Sequence, residues 1–328
     1  MYFSNAARCA LTASITLAAI AGCAGSSQVA PTPLAQFQNG RLNGANGSSF
    51  MDPGAVGKPL VFLSDVSTGD VSVFLQSGKH KMVGQITGLG APLGIAVDVA
   101  DNLYVANQNG TTVQVYAPPY TRAPILTLNG TGYPQGVAVS AKGVVALMNF
   151  CDSSACEYEV SFYAKNSTKA CDTVALPGSN IAGNGAFDHA GNLYLDGQNG
   201  QNDFIAEIKG GCKATNVELL KTNNTLGQLQ GIQVDKAGRI AILPLFSGTL
   251  YTYNPPKHGS LGNPVSTTTL GSSGGGSTFA FLASGRDLYA GINSTGADEF
   301  EYPAGGAAIS SIGFPFNGNV AVSPALFP

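Results

Sequence analysis

The chain has 328 residues, of which 44% are hydrophobic and only 11% charged. Its 43 glycines argue against a coiled coil and against a charge-rich disordered chain, and fit a large β domain punctuated by turns. With 16 basic against 19 acidic residues there is no footprint of phosphate neutralisation, so nucleic acid is excluded as an expected partner.

Residues 1–22 read as an export signal. A single positive charge at Arg8 precedes an apolar stretch from Cys9 to Ala21, shorter than the roughly 18 to 20 residues a spanning helix needs. The stretch ends in Ile20-Ala21-Gly22-Cys23, which resembles a bacterial lipobox and makes Cys23 the candidate for lipidation and membrane attachment. Plain secretion after Ala19-Ile20-Ala21, an A-x-A site, is the alternative. Ala24, in place of Asp, resembles outer-membrane sorting in a Gram-negative envelope. No apolar run in the rest of the chain is long enough to span a bilayer as a helix. From the lipidated Cys23 to residue 58 the chain is rich in Ser, Gly, Asn, Pro and Gln, a composition that reads as a flexible tether.

Residues 59–328 repeat one unit. A glycine-led apolar strand, an Asx turn and a second strand occur as Gly94-Ile-Ala-Val-Asp98 with Asn102-Leu-Tyr-Val-Ala106, then as Gly136 to Ser140 with Val144 to Leu147. They return at Asn184 to Asp188 with Asn192 to Leu195, at Gly231 to Asp235 with Arg239 to Ile242, and at Thr278 to Leu282 with Asp287 to Ala290. Repeat starts fall roughly 41 to 48 residues apart, the length of one four-stranded propeller blade. A third strand ending in an aromatic or apolar residue follows each pair, as in Val113-Gln-Val-Tyr116 and Leu250-Tyr-Thr-Tyr253. The chain ends on an inner strand, Asn319 to Ser323, and the domain begins on a second strand, Leu60 to Ser64. Joining the two predicts an all-β, six-bladed propeller of four-stranded antiparallel blades, closed in one blade by the N- and C-terminal strands. A monomer is expected.

The motif from Gly94 to Asn107 resembles the NHL-repeat and SMP-30/gluconolactonase-like propellers, and the Tyr-Ala-Pro-Pro run at Tyr116 resembles secreted bacterial lipoproteins of that type. The resemblance implies a site at the mouth of the central channel, built from the starts of inner strands and the ends of second strands. The starts supply Gln135, Asn184, Gln230, Thr278 and Asn319; the ends supply Asp65, Asn107, Asn149, Asp196 and Asn293. An SMP-30-type lactonase would hold a divalent cation there with Glu, Asn and Asp, but no Glu stands at any of these positions and Asp65 and Asp196 lie on non-adjacent blades. His80, His189 and His258 fall in turns and outer connections and are expected at the surface. Asp98, Asp188 and Asp235 are expected to cap Asx turns, and the Gly271 to Ser277 run has no following Lys and no helix, so it is a connection and not a phosphate loop.

With Cys9 removed and Cys23 lipidated, Cys151, Cys156, Cys171 and Cys212 remain, an even number in an exported chain. Cys151 with Cys156 on one face, and Cys171 with Cys212 on the other, are the natural pairs. The mouth residues suggest binding of a small molecule, glycan or protein with no catalysis and no cofactor; a divergent metal-dependent lactonase or hydrolase around Asp65, Asn107 and Asp196 is the alternative.

Overall fold

The computed structural model describes residues 48–150, 158–176, 181–199, 202–214, 216–245, 247–271, 276–292 and 295–328. They form six antiparallel blades. Blade 1 takes its inner strand from the C-terminal end of the chain, Val320–Ser323, and its second, third and outer strands from Leu60–Asp65, Asp70–Leu75 and Met82–Ile86. The inner strands of blades 2 to 6 are Pro92–Val97, Tyr133–Val139, Ile181–Phe187, Leu229–Val234 and Gly276–Phe281. Closure is direct, with Leu60 opposite Ser323, Val61 opposite Val322 and Leu63 opposite Val320.

Second strands are apolar because both of their faces pack on other blades. All five residues of Leu103–Asn107 are buried, as are all five of Ile240–Pro244. Alternate residues of each second strand serve successive seams. Leu193 and Leu195 of blade 4 pack on Ala146, Met148 and Phe162 of blade 3, whereas Tyr194 packs on Ile232, Ile240 and Ile242 of blade 5. The last seam is of the same kind: Val61 and Leu63 of blade 1 meet Ala280 and Tyr289 of blade 6.

The turns between inner and second strands of blades 2, 4 and 5 are Asx caps, as their residue types require. Asp98 Oδ1 accepts from the amides of Ala100 and Asn102, and its Oδ2 from Asn102 Nδ2. Asp188 repeats this with Asn192, while Asp235 holds the Arg239 amide and guanidinium and accepts from the Tyr302 hydroxyl at 2.8 Å.

Two features depart from the sequence reading. The folded part begins inside the segment assigned to the tether: Phe50 and Met51 pair with Gln85 and Gly84 as an extra strand on the outer edge of blade 1, covering amides that an open edge would leave bare. His80 is buried, not exposed. Its turn folds under blade 6, where the ring stands edge-on to Tyr289 at 6.1 Å and Nδ1 lies 3.1 Å from the Leu75 carbonyl. His189 and His258 are exposed as expected.

Cys171, on the outer strand of blade 3, is disulfide-bonded to Cys212, in the 3-10 turn Gly211–Lys213 ahead of blade 4's outer strand. Cys23, Cys151 and Cys156 lie outside the described residues. The bridge spans 41 residues of sequence, so loop-closure entropy gives it about 4 kcal/mol. The double variant Cys171→Ser/Cys212→Ser is therefore expected to unfold at clearly lower urea than the oxidised parent; equal midpoints for the two would count against this.

Candidate functional site

In blades 2 to 6 the pairing of inner and second strands shifts register near the start of the inner strand, between Pro92 and Ile95 in blade 2 and between Ala182 and Gly185 in blade 4, for example. A bulge of this kind re-aims the side chains that follow. At this level the six strands present Asn319, Gly94, Gly136, Asn184, Gly231 and Thr278, each opposite the fourth residue of its second strand's common core. Those facing residues are Ser64, Ala106, Met148, Asp196, Leu243 and Gly291.

Asn184 and Asn319 sit on blades 4 and 1, three places apart in the ring of six, and are therefore opposite one another. Asn319 Nδ2 donates to Asn184 Oδ1 at 2.7 Å, so an amide pair crosses the axis at the mouth. Each asparagine is held from behind in the same way. Ser64 Oγ accepts from the Asn319 amide at 2.8 Å and donates to the Leu93 carbonyl of blade 2 at 2.7 Å. Asp196 Oδ1 accepts from the Asn184 amide at 2.7 Å. Thr278 adds a stitch, its Oγ1 accepting from the Val320 amide at 3.0 Å.

Asp196 is 0% exposed, and its Oδ2 has no hydrogen-bond partner. Burial penalises its charged form, the Asn184 amide opposes that, and the nearby Asp203 carboxylate adds to it, leaving its pKa raised from 3.8 to about 7. The folded state thus binds the proton more tightly than the unfolded chain. The stabilisation this gives is complete below about 3.8 and lost as pH rises through about 7. Asp196→Asn, which keeps the acceptor and cannot ionise, is expected to flatten the decline and to exceed the parent's stability at pH 8 by about 2 to 4 kcal/mol, one pKa unit being about 1.4 kcal/mol. Urea unfolding at a series of pH values checks this, and parallel curves for the two proteins would contradict it.

The other expected mouth residues are mostly drawn away from the axis. Asp65 caps its own turn, Oδ1 accepting from the Ser67 amide at 2.9 Å. Asn107 donates to Gln114 Oε1 and Asn149 to Ser161 Oγ and Thr131 Oγ1; both are buried within their blades. Gln135 is half-buried, Gln230 has its backbone in the inner strand while its side chain lies outside the described residues, and Asn293 lies outside them altogether. Asp65, on blade 1, is turned to its own cap and Asp196, on blade 4, is wholly buried, so neither carboxylate is presented to a ligand at the mouth. Among the described residues no group of three or more His, Cys, Asp or Glu gathers in metal-binding range.

Below the amide pair the channel is lined by Ile95, Val137, Phe187, Ile232 and Phe281, and Leu326 and Phe327 line it as well. Its volume is about 90 Å³. A ligand pocket has about 300 Å³ and more, so the channel is too narrow for a ligand of ordinary size. Ser64 is the residue that reading the sequence missed. The signal was present: aligned on their inner strands, the copies place a serine in blade 1 where blade 4 has Asp196 and blades 2, 3 and 5 have Ala106, Met148 and Leu243.

No family model matches the chain, and no curated protein matches it. Solved structures do. Hydrazine synthase of Kuenenia stuttgartiensis aligns with a TM-score of 0.61 at 15% identity, over 78% of this chain and 83% of that one. A nidogen/laminin complex aligns with a TM-score of 0.62 at 14% identity, over 81% of this chain and 98% of that one. A Bacteroides caccae protein aligns with a TM-score of 0.58 at 9% identity, over 81% and 98%. At such identities the likeness establishes a shared propeller fold and nothing about chemistry.

Proposed function

We propose that this chain is a lipoprotein of the bacterial cell envelope, anchored through Cys23, whose propeller binds a glycan or protein segment laid across the channel-mouth face. We further read it as a distant NHL-type propeller. The observation that carries the binding reading is the hydrogen bond between Asn184 and Asn319, which occupies the axis with amides already paired to each other. A ligand of this face is therefore met by the surrounding loops and by half-buried residues such as Gln135. Uncharged amides suit hydroxyl-rich or peptide ligands, whose donors and acceptors need partners. The second reading, a divergent lactonase, draws support from Asp196 alone, a carboxyl shifted into the range of a general base.

The test uses the purified mature protein against soluble peptidoglycan fragments, neutral oligosaccharides and lactones, with metal analysis alongside. Binding without turnover, weakened about fivefold or more by Gln135→Ala, is the expected result, since one lost buried hydrogen bond is worth about 1 to 3 kcal/mol. One tightly held divalent cation per chain, lost together with lactone hydrolysis in Asp196→Asn, would put the enzyme first. In cells, Cys23→Ser should move the protein from the membrane to the soluble fraction with its fold intact; a variant still wholly membrane-bound would overturn the anchor.

A further inference from the structure

Asp196 and Ser64 do the same work on opposite blades, with one difference. Ser64 accepts from the Asn319 amide and also donates, to the Leu93 carbonyl of the next blade. Asp196 accepts from the Asn184 amide, but an ionised carboxylate has nothing to donate, and its Oδ2 stands buried without a partner. It lies on the face of its strand that carries Tyr194 toward blade 5. A proton on Oδ2 removes the buried charge and leaves Oδ1 as the acceptor toward its own inner strand that Ser64 Oγ is on the opposite blade.

We propose that Asp196 is a proton-operated latch on the channel mouth: with its carboxyl protonated, the chain Asp196–Asn184–Asn319–Ser64 ties blades 4 and 1 across the axis, and loss of that proton releases it. The step is a simple ionisation, the O–H bond breaking and the proton passing to water. It leaves a full charge with no solvent exposure, and relief comes from hydration. Asn184 is the element that yields, because its amide holds Asp196 while its side chain lines the channel and makes the cross-axis bond.

The surroundings favour the protonated form. On the neighbouring third strand, Asn202–Ile208, the titratable groups of the same face are Asp203, which accepts from Gln198 Nε2, and Glu207, which takes the Tyr194 hydroxyl and Lys209. Both are carboxylates, and Lys209 is spent on Glu207. The inner strand Ile181–Phe187 and the two blade 5 strands packed alongside, Leu229–Val234 and Ile240–Pro244, contain no titratable residue. The raised pKa of Asp196 agrees with this setting.

Amide hydrogen exchange of the full chain, corrected for the intrinsic pH dependence of exchange, reads the latch at residues 181–187 and 319–323. Protection there should fall by roughly tenfold per pH unit between pH 5 and about 7, then level off, as release of one proton requires. Asp196→Asn should keep protection high and flat, and Asn319→Ala should keep it low at every pH. A flat parent, or a step that persists in Asp196→Asn, overturns the proposal. Should the variants fail to fold, the carboxyl carbon-13 resonance of Asp196 in the parent decides: a midpoint above 6 supports the latch and one below 5 ends it.

Discussion

Removing the residues after Gly318 should abolish the folded propeller. The lost segment holds the inner strand of blade 1, whose Val320, Ala321 and Val322 are all buried. Without it the ladder from Leu60 to Leu63 has no partner on the axis side, and Val61, Phe62 and Leu63 are uncovered. Burial of each valine is worth about 1.5 to 3 kcal/mol and each ladder hydrogen bond about 1. Together with the seam to blade 6, through Ala280 and Tyr289, the loss is of the order of the whole stability of a domain, about 5 to 15 kcal/mol. The same segment carries Asn319, so the cross-axis pair goes with it. The truncated chain should elute as aggregates and bind hydrophobic dyes, and a synthetic peptide of residues 319–328 should restore part of the monomer when present during refolding. A truncated protein that stays monomeric and melts at the parent's temperature would show that the ring does not depend on its closing strand.

That closure was legible in the sequence because it depends on order alone: a chain ending on an inner strand and beginning on a second strand has one way to complete both. The Asx turns were legible for a similar reason, since Asp98, Asp188 and Asp235 act on amides within four residues of themselves. The mouth was only half legible. Position along a strand showed which residues come near the axis, but not which way they point once a bulge has shifted the register. Asn107 and Asn149 stand near the mouth and turn inward to Gln114 and Ser161. Asp196 falls on the parity that packs against blade 5. The link between Asn184 and Asn319 joins residues 135 apart in sequence on opposite sides of a ring, and no local pattern encodes it. His80 shows the same limit, for its burial is imposed by Tyr289 of another blade.

Changing Gly136 to alanine should destabilise the propeller strongly. An added Cβ at Gly136 would lie 2.3 Å from the Gly183 carbonyl oxygen of blade 4 and 2.8 Å from Met148 Cε. The methionine can move aside, but the carbonyl belongs to the bulge beside Asn184, on the strand that carries one end of the cross-axis pair. One blade back, a Cβ at Gly94 would lie 2.5 Å from the Gln135 carbonyl, so the glycines let successive inner strands approach backbone to backbone. This close approach keeps the channel near 90 Å³ and brings the two asparagines within reach of each other. Overpacking of a buried site costs about 1 to 3 kcal/mol where side chains can adjust, and a clash with backbone belongs at the upper end of that range. Gly110→Ala is the control: it lies in a turn at the mouth, where a Cβ would meet nothing closer than 3.8 Å. Urea unfolding should therefore place Gly136→Ala about 3 kcal/mol below the parent and Gly110→Ala within about 0.5 kcal/mol of it. Gly136→Ala should also weaken amide protection at Asn184, whose N–H shares a peptide unit with the Gly183 carbonyl that the methyl group would displace. Equal midpoints for Gly136→Ala and Gly110→Ala would mean that the inner strands are not packed as tightly as the structure has them.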